Sequence, residues 1–359
     1  MARFNSLLRA LSVGCLATSL PPHLRGAENT QLGSSSPAWR LTPTGSQQRF
    51  RGLAPVSGDV VWIAGTNGTV LKTVDAGRTW ESVGPALGLE DVELQFRDVE
   101  AWSADRAIIL SIGEGNASRI YGTKDGGKSW SLSFTNNDSA AFYDCLAFEN
   151  PEHGLAMSDP VDGRYRLIET VNGGSSWSIV DPRGMPSALD GEAGFAASGT
   201  CLSTAAGRWY LASGGTSAAR IYRSADGHKW DVANSSIAGG SAAGVFSVAF
   251  KDAHRGLAVG GDYEAPNKTE SISAWSIDGG VTWQPSDRFP GGYRSGVSWV
   301  PGFCGGAIAV GPTGSDLTID GGKTWHAFDN GSFDSIECVG GHVCWAAGES
   351  GRVGRLTLD

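Results

Sequence analysis

The sequence predicts an all-β chain folded as a seven-bladed β-propeller, its ring closed by an N-terminal strand that completes the last blade. Three observations carry this. An octapeptide turn motif recurs along the chain, a strand series repeats seven times, and the final unit stops one strand short while a matching strand stands at residues 38–42. Each unit is too small to hide its own apolar faces, so radial stacking is the natural solution.

The motif reads Thr73-Val-Asp-Ala-Gly-Arg-Thr-Trp80, Thr123-Lys-Asp-Gly-Gly-Lys-Ser-Trp130, Thr170-Val-Asn-Gly-Gly-Ser-Ser-Trp177, Ser276-Ile-Asp-Gly-Gly-Val-Thr-Trp283 and Thr318-Ile-Asp-Gly-Gly-Lys-Thr-Trp325. A copy one residue shorter reads Ser224-Ala-Asp-Gly-His-Lys-Trp230. Asp75, Asp125, Asp226, Asp278 and Asp320, with Asn172 in the third copy, can accept backbone N–H bonds inside a tight turn. The glycines that follow permit positive φ, and the closing Trp opens the next strand with a large apolar face. These side chains are therefore read as structural turn staples. The motif matches the Asp-box, also called the BNR repeat.

Ahead of each turn runs a similar series. In the fifth unit a first strand is expected over 246–250, a turn over 251–255, a second strand over 256–259 and a third strand running into the motif. Aromatic strand starts recur at Phe50, Phe96, Phe142, Phe195, Phe246, Tyr293 and Phe333, which gives seven units. The last unit ends at Asp359 without its Trp strand. Residues 38–42, with Trp39 in the Trp position, resemble the strands after the turns and are expected to supply it, leaving no unpaired ring edge.

The 52 Gly and 13 Trp suit many short strands and tight turns, and 18% charged with 40% hydrophobic residues describes an ordinary globular chain. A net charge of -9 without any Lys/Arg cluster argues against nucleic acid as a partner. Arg3 and Arg9, the mostly apolar residues 10–20 and the small residues near Gly26 resemble a secretory signal peptide. Residues 1–27 are assigned to it, 28–37 to a polar leader and 38–359 to the propeller. The product is expected in the periplasm or outside the cell, as a monomer without a transmembrane segment. Cys15 has Ser12 where a lipidation signal prefers Leu.

Five further cysteines, Cys145, Cys201, Cys304, Cys338 and Cys344, leave one over from any pairing. Residues 339–343 read as a hairpin turn that sets Cys338 opposite Cys344. A cross-strand disulfide fits that geometry, and so does a pair of buried thiols. No Cys/His spacing suits a metal, and no cofactor is expected.

The segments between the motifs resemble a bacterial, exported branch of the photosystem II stability and assembly factor-like propellers. The likeness lies in residues 50–53 (FRGL), 158–163 (SDPVDG), 191–200 (GEAGFAASGT), 250–252 (FKD), 260–263 (GGDY) and 311–316 (GPTGSD), and spans residues 38–359. It implies a binding or assembly scaffold. An oxidoreductase role is also attached to that branch, yet the chain has neither a Gly-x-Gly-x-x-Gly after a strand nor a Cys-x-x-Cys.

Conventional strand order puts the loops between second and third strands on the face opposite the Asp-boxes, together with the blade entrances. That face would gather Arg51, Arg97, Asp144, Asp159, Asp162, Arg164, Glu192, Arg220, Asp262, Tyr263, Arg294, Ser315 and Asp316 around the channel mouth. The ligand-binding candidates are Arg51, Arg97, Asp159, Asp162, Glu192, Asp262, Tyr263, Arg294 and Asp316, for a protein or glycan ligand. The alternative for the same set is ion pairing that pins adjacent blades. A second function class is a sialidase-like or xyloglucanase-like glycoside hydrolase. It would draw an arginine triad from Arg51, Arg97 and Arg294, with Tyr263, Glu192 and Asp262 as reacting groups, although the Arg-Ile-Pro motif of sialidases is missing.

Overall fold

In the computed structural model, which describes residues 37–88 and 93–358, seven four-stranded antiparallel sheets stand in a ring. Their innermost strands are Phe50–Pro55, Gln95–Ala101, Tyr143–Phe148, Leu202–Ala205, Ala243–Phe250, Gly296–Trp299 and Ser335–Val339. Each touches the next, and the last touches the first, so together they line a central channel. Residues 1–27, assigned to a signal peptide, and nearly all of the assigned leader fall outside the described residues.

The second strand of each blade is buried on both faces, because it is wedged between neighbouring sheets. Val61–Gly65 and Val343–Ala347 show this, with every residue buried. Apolar, β-branched and aromatic residues fill such positions. The core is accordingly distributed as clusters between blades, as where Trp62 and Ala64 of blade one meet Phe96, Val99 and Ile109 of blade two. Motif tryptophans join these seams: Trp130 packs edge-on against Trp62, and Trp80 against Trp345, with ring centroids 6.2 Å apart in both pairs.

The octapeptide turns close as the residue chemistry requires. Asp320 Oδ1 accepts the Thr324 N–H at 2.9 Å, Oδ2 accepts the Thr324 hydroxyl at 2.6 Å, and the Thr318 hydroxyl accepts the Gly322 N–H at 3.0 Å. Asp75, Asp125 and Asp278 repeat this pattern. Asn172 accepts the Ser176 N–H, and its own amide donates to the Ser176 hydroxyl. In the shortened copy Asp226 takes the N–H groups of His228 and Lys229 instead. Gly126 and Gly127 sit at φ +79° and +86°, where a Cβ is penalised.

Ring closure follows the expectation. Arg40–Leu41 pairs antiparallel with Val353–Thr357, so blade seven takes three strands from one end of the chain and one from the other. Two disulfides are present. Cys338 and Cys344 face each other across a hairpin with Cα atoms 3.9 Å apart, and Cys145 joins Cys201 over 56 residues. Cys304 belongs to neither bridge.

One strand assignment needs correction. Phe195 does not open the first strand of blade four, which runs Leu202–Ala205. Residues 191–200 instead form a connection between blades three and four that lies over the channel mouth. Its glycines and small residues permit close backbone packing, and the Cys145–Cys201 bridge anchors its far end.

Candidate functional site

The face opposite the octapeptide turns carries an open cavity of about 580 Å³ over the channel. Arg49, Arg51, Arg97, Asp144, Asp159, Phe195, Phe246, Tyr263, Tyr293 and Asp334 are among its lining residues. Blade entrances supply Arg49, Arg51, Arg97, Asp144 and Asp334, and the end of the second strand of blade three supplies Asp159.

The connection between blades three and four organises the site. Arg51 Nη1 and Arg97 Nη1 both donate to the Ala196 carbonyl, at 3.2 and 3.0 Å. Arg49 holds Asp334 with two bonds, at 2.7 and 2.6 Å, and Arg51 Nε lies 3.6 Å from the same carboxylate. The Nε–H groups of Arg51 and Arg97 are buried with no hydrogen-bond acceptor among the described residues. Burial lowers the Arg51 pKa, opposed by Asp334.

Across the cavity Asp144 and Asp159 form a carboxyl pair. Asp159 Oδ1 accepts the Gly194 N–H at 2.7 Å, while Asp144 Oδ2 is buried with no partner among the described residues beyond the neighbouring Asp159 carboxyl. Burial pushes Asp144 well above the ordinary carboxyl range, and the neighbouring Asp159 adds to this. Burial likewise raises Asp159, to about 6. Two carboxyl groups this close share one proton more readily than they both ionise.

Aromatic rings form a third side. Phe195 stacks on Phe246 with centroids 4.0 Å apart, Tyr293 meets Phe246 edge-on at 4.7 Å, and Tyr263 stands edge-on to both phenylalanines at 6.3 Å. Tyr263 remains 49% exposed, so this wall is open to an incoming group.

Of the residues read from sequence, Arg51, Arg97, Asp144, Asp159 and Tyr263 come together here. The rest are placed elsewhere. Asp162 is exposed at a hairpin tip with φ +53°. Asp262 caps its own turn by accepting the Glu264 N–H. Glu192 is sealed by Arg220, Ser213 and Tyr222; burial alone would raise its pKa, and the bonds from Arg220 and Ser213 reverse the shift. Arg294 and Asp316 are each 1% exposed and bind one another, Arg294 Nε reaching Asp316 Oδ2 at 2.7 Å. The proposed arginine triad therefore does not assemble, since Arg294 is consumed by a framework ion pair.

Ion pairing between blades also exists, as Arg49 of the blade-one entrance holds Asp334 of blade seven. Sequence reasoning missed Arg49, Asp334 and the Ala196 carbonyl. The first two flank aromatic strand starts just as Arg51 and Arg97 do, and that signal could have found them. A backbone carbonyl leaves no trace in residue type.

No protein-family model matches the chain, and no curated protein does. Among solved structures it resembles YCF48 bound to D1 peptide, with a TM-score of 0.63 and 16% identity over 90% of this chain and 100% of that one. YCF48 from Cyanidioschyzon merolae aligns with a TM-score of 0.61 and 17% identity, covering 89% and 99%. At these identities the likeness establishes the fold. The WD40 propeller domain of Doa1 shares it at 11% identity and a TM-score of 0.57, over 90% and 98% of the two chains. Among the described residues no helix is long and apolar enough to cross a membrane.

Proposed function

We propose that this chain is an exported, non-enzymatic binding or assembly scaffold of the photosystem II assembly factor-like kind, holding a peptide segment of a partner protein at the channel mouth. One observation carries the reading: Arg51 and Arg97 converge on one neutral carbonyl, and among the described residues neither buried Nε–H has a hydrogen-bond acceptor, with Asp334 3.6 Å from that of Arg51, beside an open, aromatic-walled cavity. A carbonyl is a weak partner for two guanidinium ions, and a carboxylate would bind them more strongly through charge-assisted bonds. The fold likeness to YCF48 agrees, since one of those structures holds a D1 peptide. Arg51, Arg97, Asp159 and Tyr263 make the contacts in this reading, and Glu192, Arg294 and Asp316 keep the frame rigid.

Export by residues 1–27 is part of the proposal. The basic start and apolar run support it, as do two disulfides, which persist in oxidising compartments. The test is a binding titration by fluorescence anisotropy, using short peptides that differ only in a free or amidated C-terminus. The free acid should bind at least tenfold more tightly, and Arg51→Ala and Arg97→Ala should each remove that difference. Equal binding of acid and amide would sink the arginine role. Turnover of a glycoside by the same protein would replace the scaffold with a hydrolase.

A further inference from the structure

The acid pair at the cavity's other side plays no part in holding a carboxylate. Asp144 is 2% exposed and Asp159 is half-buried, and among the described residues neither forms an ion pair with an arginine. The cavity's three arginines lie on Asp334 and on the Ala196 carbonyl instead. Two adjacent carboxyl groups, kept apart from available cations and short of donors, are costly to bury for structure alone.

The chain's own backbone shows what could satisfy both ends. Gly194 gives its N–H to Asp159, Phe195 stacks on Phe246, and Ala196 gives its carbonyl to Arg51 and Arg97. A donor thus meets the acids, a ring meets the aromatic wall, and an acceptor meets the arginines, all within three residues. Gly194 allows this close passage, for a Cβ there would stand 3.1 Å from Asp144 Oδ2 and 2.6 Å from Met157 Cε. The resting segment is neutral where the surrounding groups are charged, so it satisfies them only in part.

We infer that Asp144 and Asp159 form a subsite for a protonated amine, so that a bound peptide presents a lysine-type ammonium group to the acids and a carboxylate to Arg51 and Arg97. This rests on the peptide-binding reading above and adds the second charge. The ammonium replaces the proton shared by the pair, which leaves to solvent as the second carboxylate ionises. The exposed ring of Tyr263 and the Phe195–Phe246 wall suit the cation's alkyl stem and its charge. The span between the two subsites is that of residues 194–196, which turn at Ala196 and so reach less than the roughly 10 Å of three extended residues.

The experiment is calorimetric titration of the full chain with acetylated pentapeptides ending in a free carboxylate, Lys being moved through the first four positions and compared with norleucine. At one position Lys should bind at least tenfold more tightly than norleucine, and proton release should appear as a dependence of the heat on the buffer. Asp144→Asn with Asp159→Asn should abolish the preference for Lys, bringing Lys and norleucine peptides to within threefold of each other. If the double variant fails to fold, Asp159→Asn alone should reduce the preference. Norleucine peptides that bind as tightly as Lys peptides at every position would overturn the amine subsite and leave the carboxylate reading intact. A Lys preference unchanged by the Asn variants overturns it too. Failure of every peptide to bind overturns both.

Discussion

The indole N–H of Trp39 donates to Ser315 Oγ at 3.0 Å, joining positions 276 residues apart. The ring of Trp39 also packs on Phe333 at 5.2 Å, inside a cluster shared by blades six and seven. Closure of the propeller therefore depends on one buried aromatic as much as on the two-residue ladder beside it. Trp39→Ala should cost about 3–5 kcal/mol, the range for emptying a large aromatic site. A chain starting at residue 45 should unfold in less urea than one starting at residue 37. Equal midpoints for the two would remove the closure role.

The turn staples should matter to stability and not to binding. Burial would raise the pKa of Asp320, but the Thr324 hydroxyl and N–H reverse this, and the group is held below the ordinary value. The stabilisation it gives is present above the unfolded carboxyl value and is lost as pH falls through the lowered one. Asp320→Ala should cost about 1 kcal/mol, since the orphaned Thr324 N–H can still reach water. Peptide affinity should not move, and a selective loss of affinity at unchanged stability would show the turn to be functional.

Ala76 occupies φ +60° in the first motif, where the second, third, fifth and sixth blades carry glycine. A Cβ in this region costs roughly 1–2 kcal/mol, against about 0.5–1 kcal/mol of extra chain entropy for glycine. Ala76→Gly should therefore stabilise by about 0.5 kcal/mol or slightly more, visible as a higher midpoint in denaturant. A lower midpoint would contradict the strain argument.

Arg294 and Arg97 should separate cleanly. Removing Arg294 leaves Asp316 buried without its partner, so Arg294→Ala should cost about 3–5 kcal/mol. Replacing both members together with Met and Leu should recover most of that loss. Arg97→Ala gives up one bond to a carbonyl and should cost about 1 kcal/mol or less. Chemical denaturation of the four proteins checks the order, and similar losses for Arg294→Ala and Arg97→Ala would contradict it.

Acids on the innermost strands predict a pH dependence. Burial raises Glu100 to about 7 and raises Asp98 well above its ordinary value, the neighbouring Glu100 adding to the shift of Asp98. A raised carboxyl favours the fold while it is protonated. That contribution is complete below the unfolded value near 4.5 and is lost as pH rises to about 7. Thermal melts should show a smaller drop between pH 5 and pH 8 for Glu100→Gln than for the native chain. An unchanged drop would mean that Glu100 ionises freely in the fold.

The architecture was legible because its determinants are local. An Asp or Asn, one or two residues able to take positive φ and a closing Trp fix each turn within seven or eight positions. The missing strand after Thr357 and the spare one around Trp39 follow from counting the repeat. The hairpin between Cys338 and Cys344 is local in the same way, whereas the Cys145–Cys201 bridge crosses 56 residues and was not readable. The site was legible only in part. Sequence position puts Arg51, Arg97, Arg294 and Glu192 on one face, but only packing decides that Arg294 and Glu192 are spent on Asp316 and Arg220. It decides as well that residues 191–200 leave the strand pattern and lay the Ala196 carbonyl between Arg51 and Arg97. Turn chemistry acts over a few bonds and is written in residue order. Partner choice among charged groups is set by distance and burial, which exist only once the ring has closed.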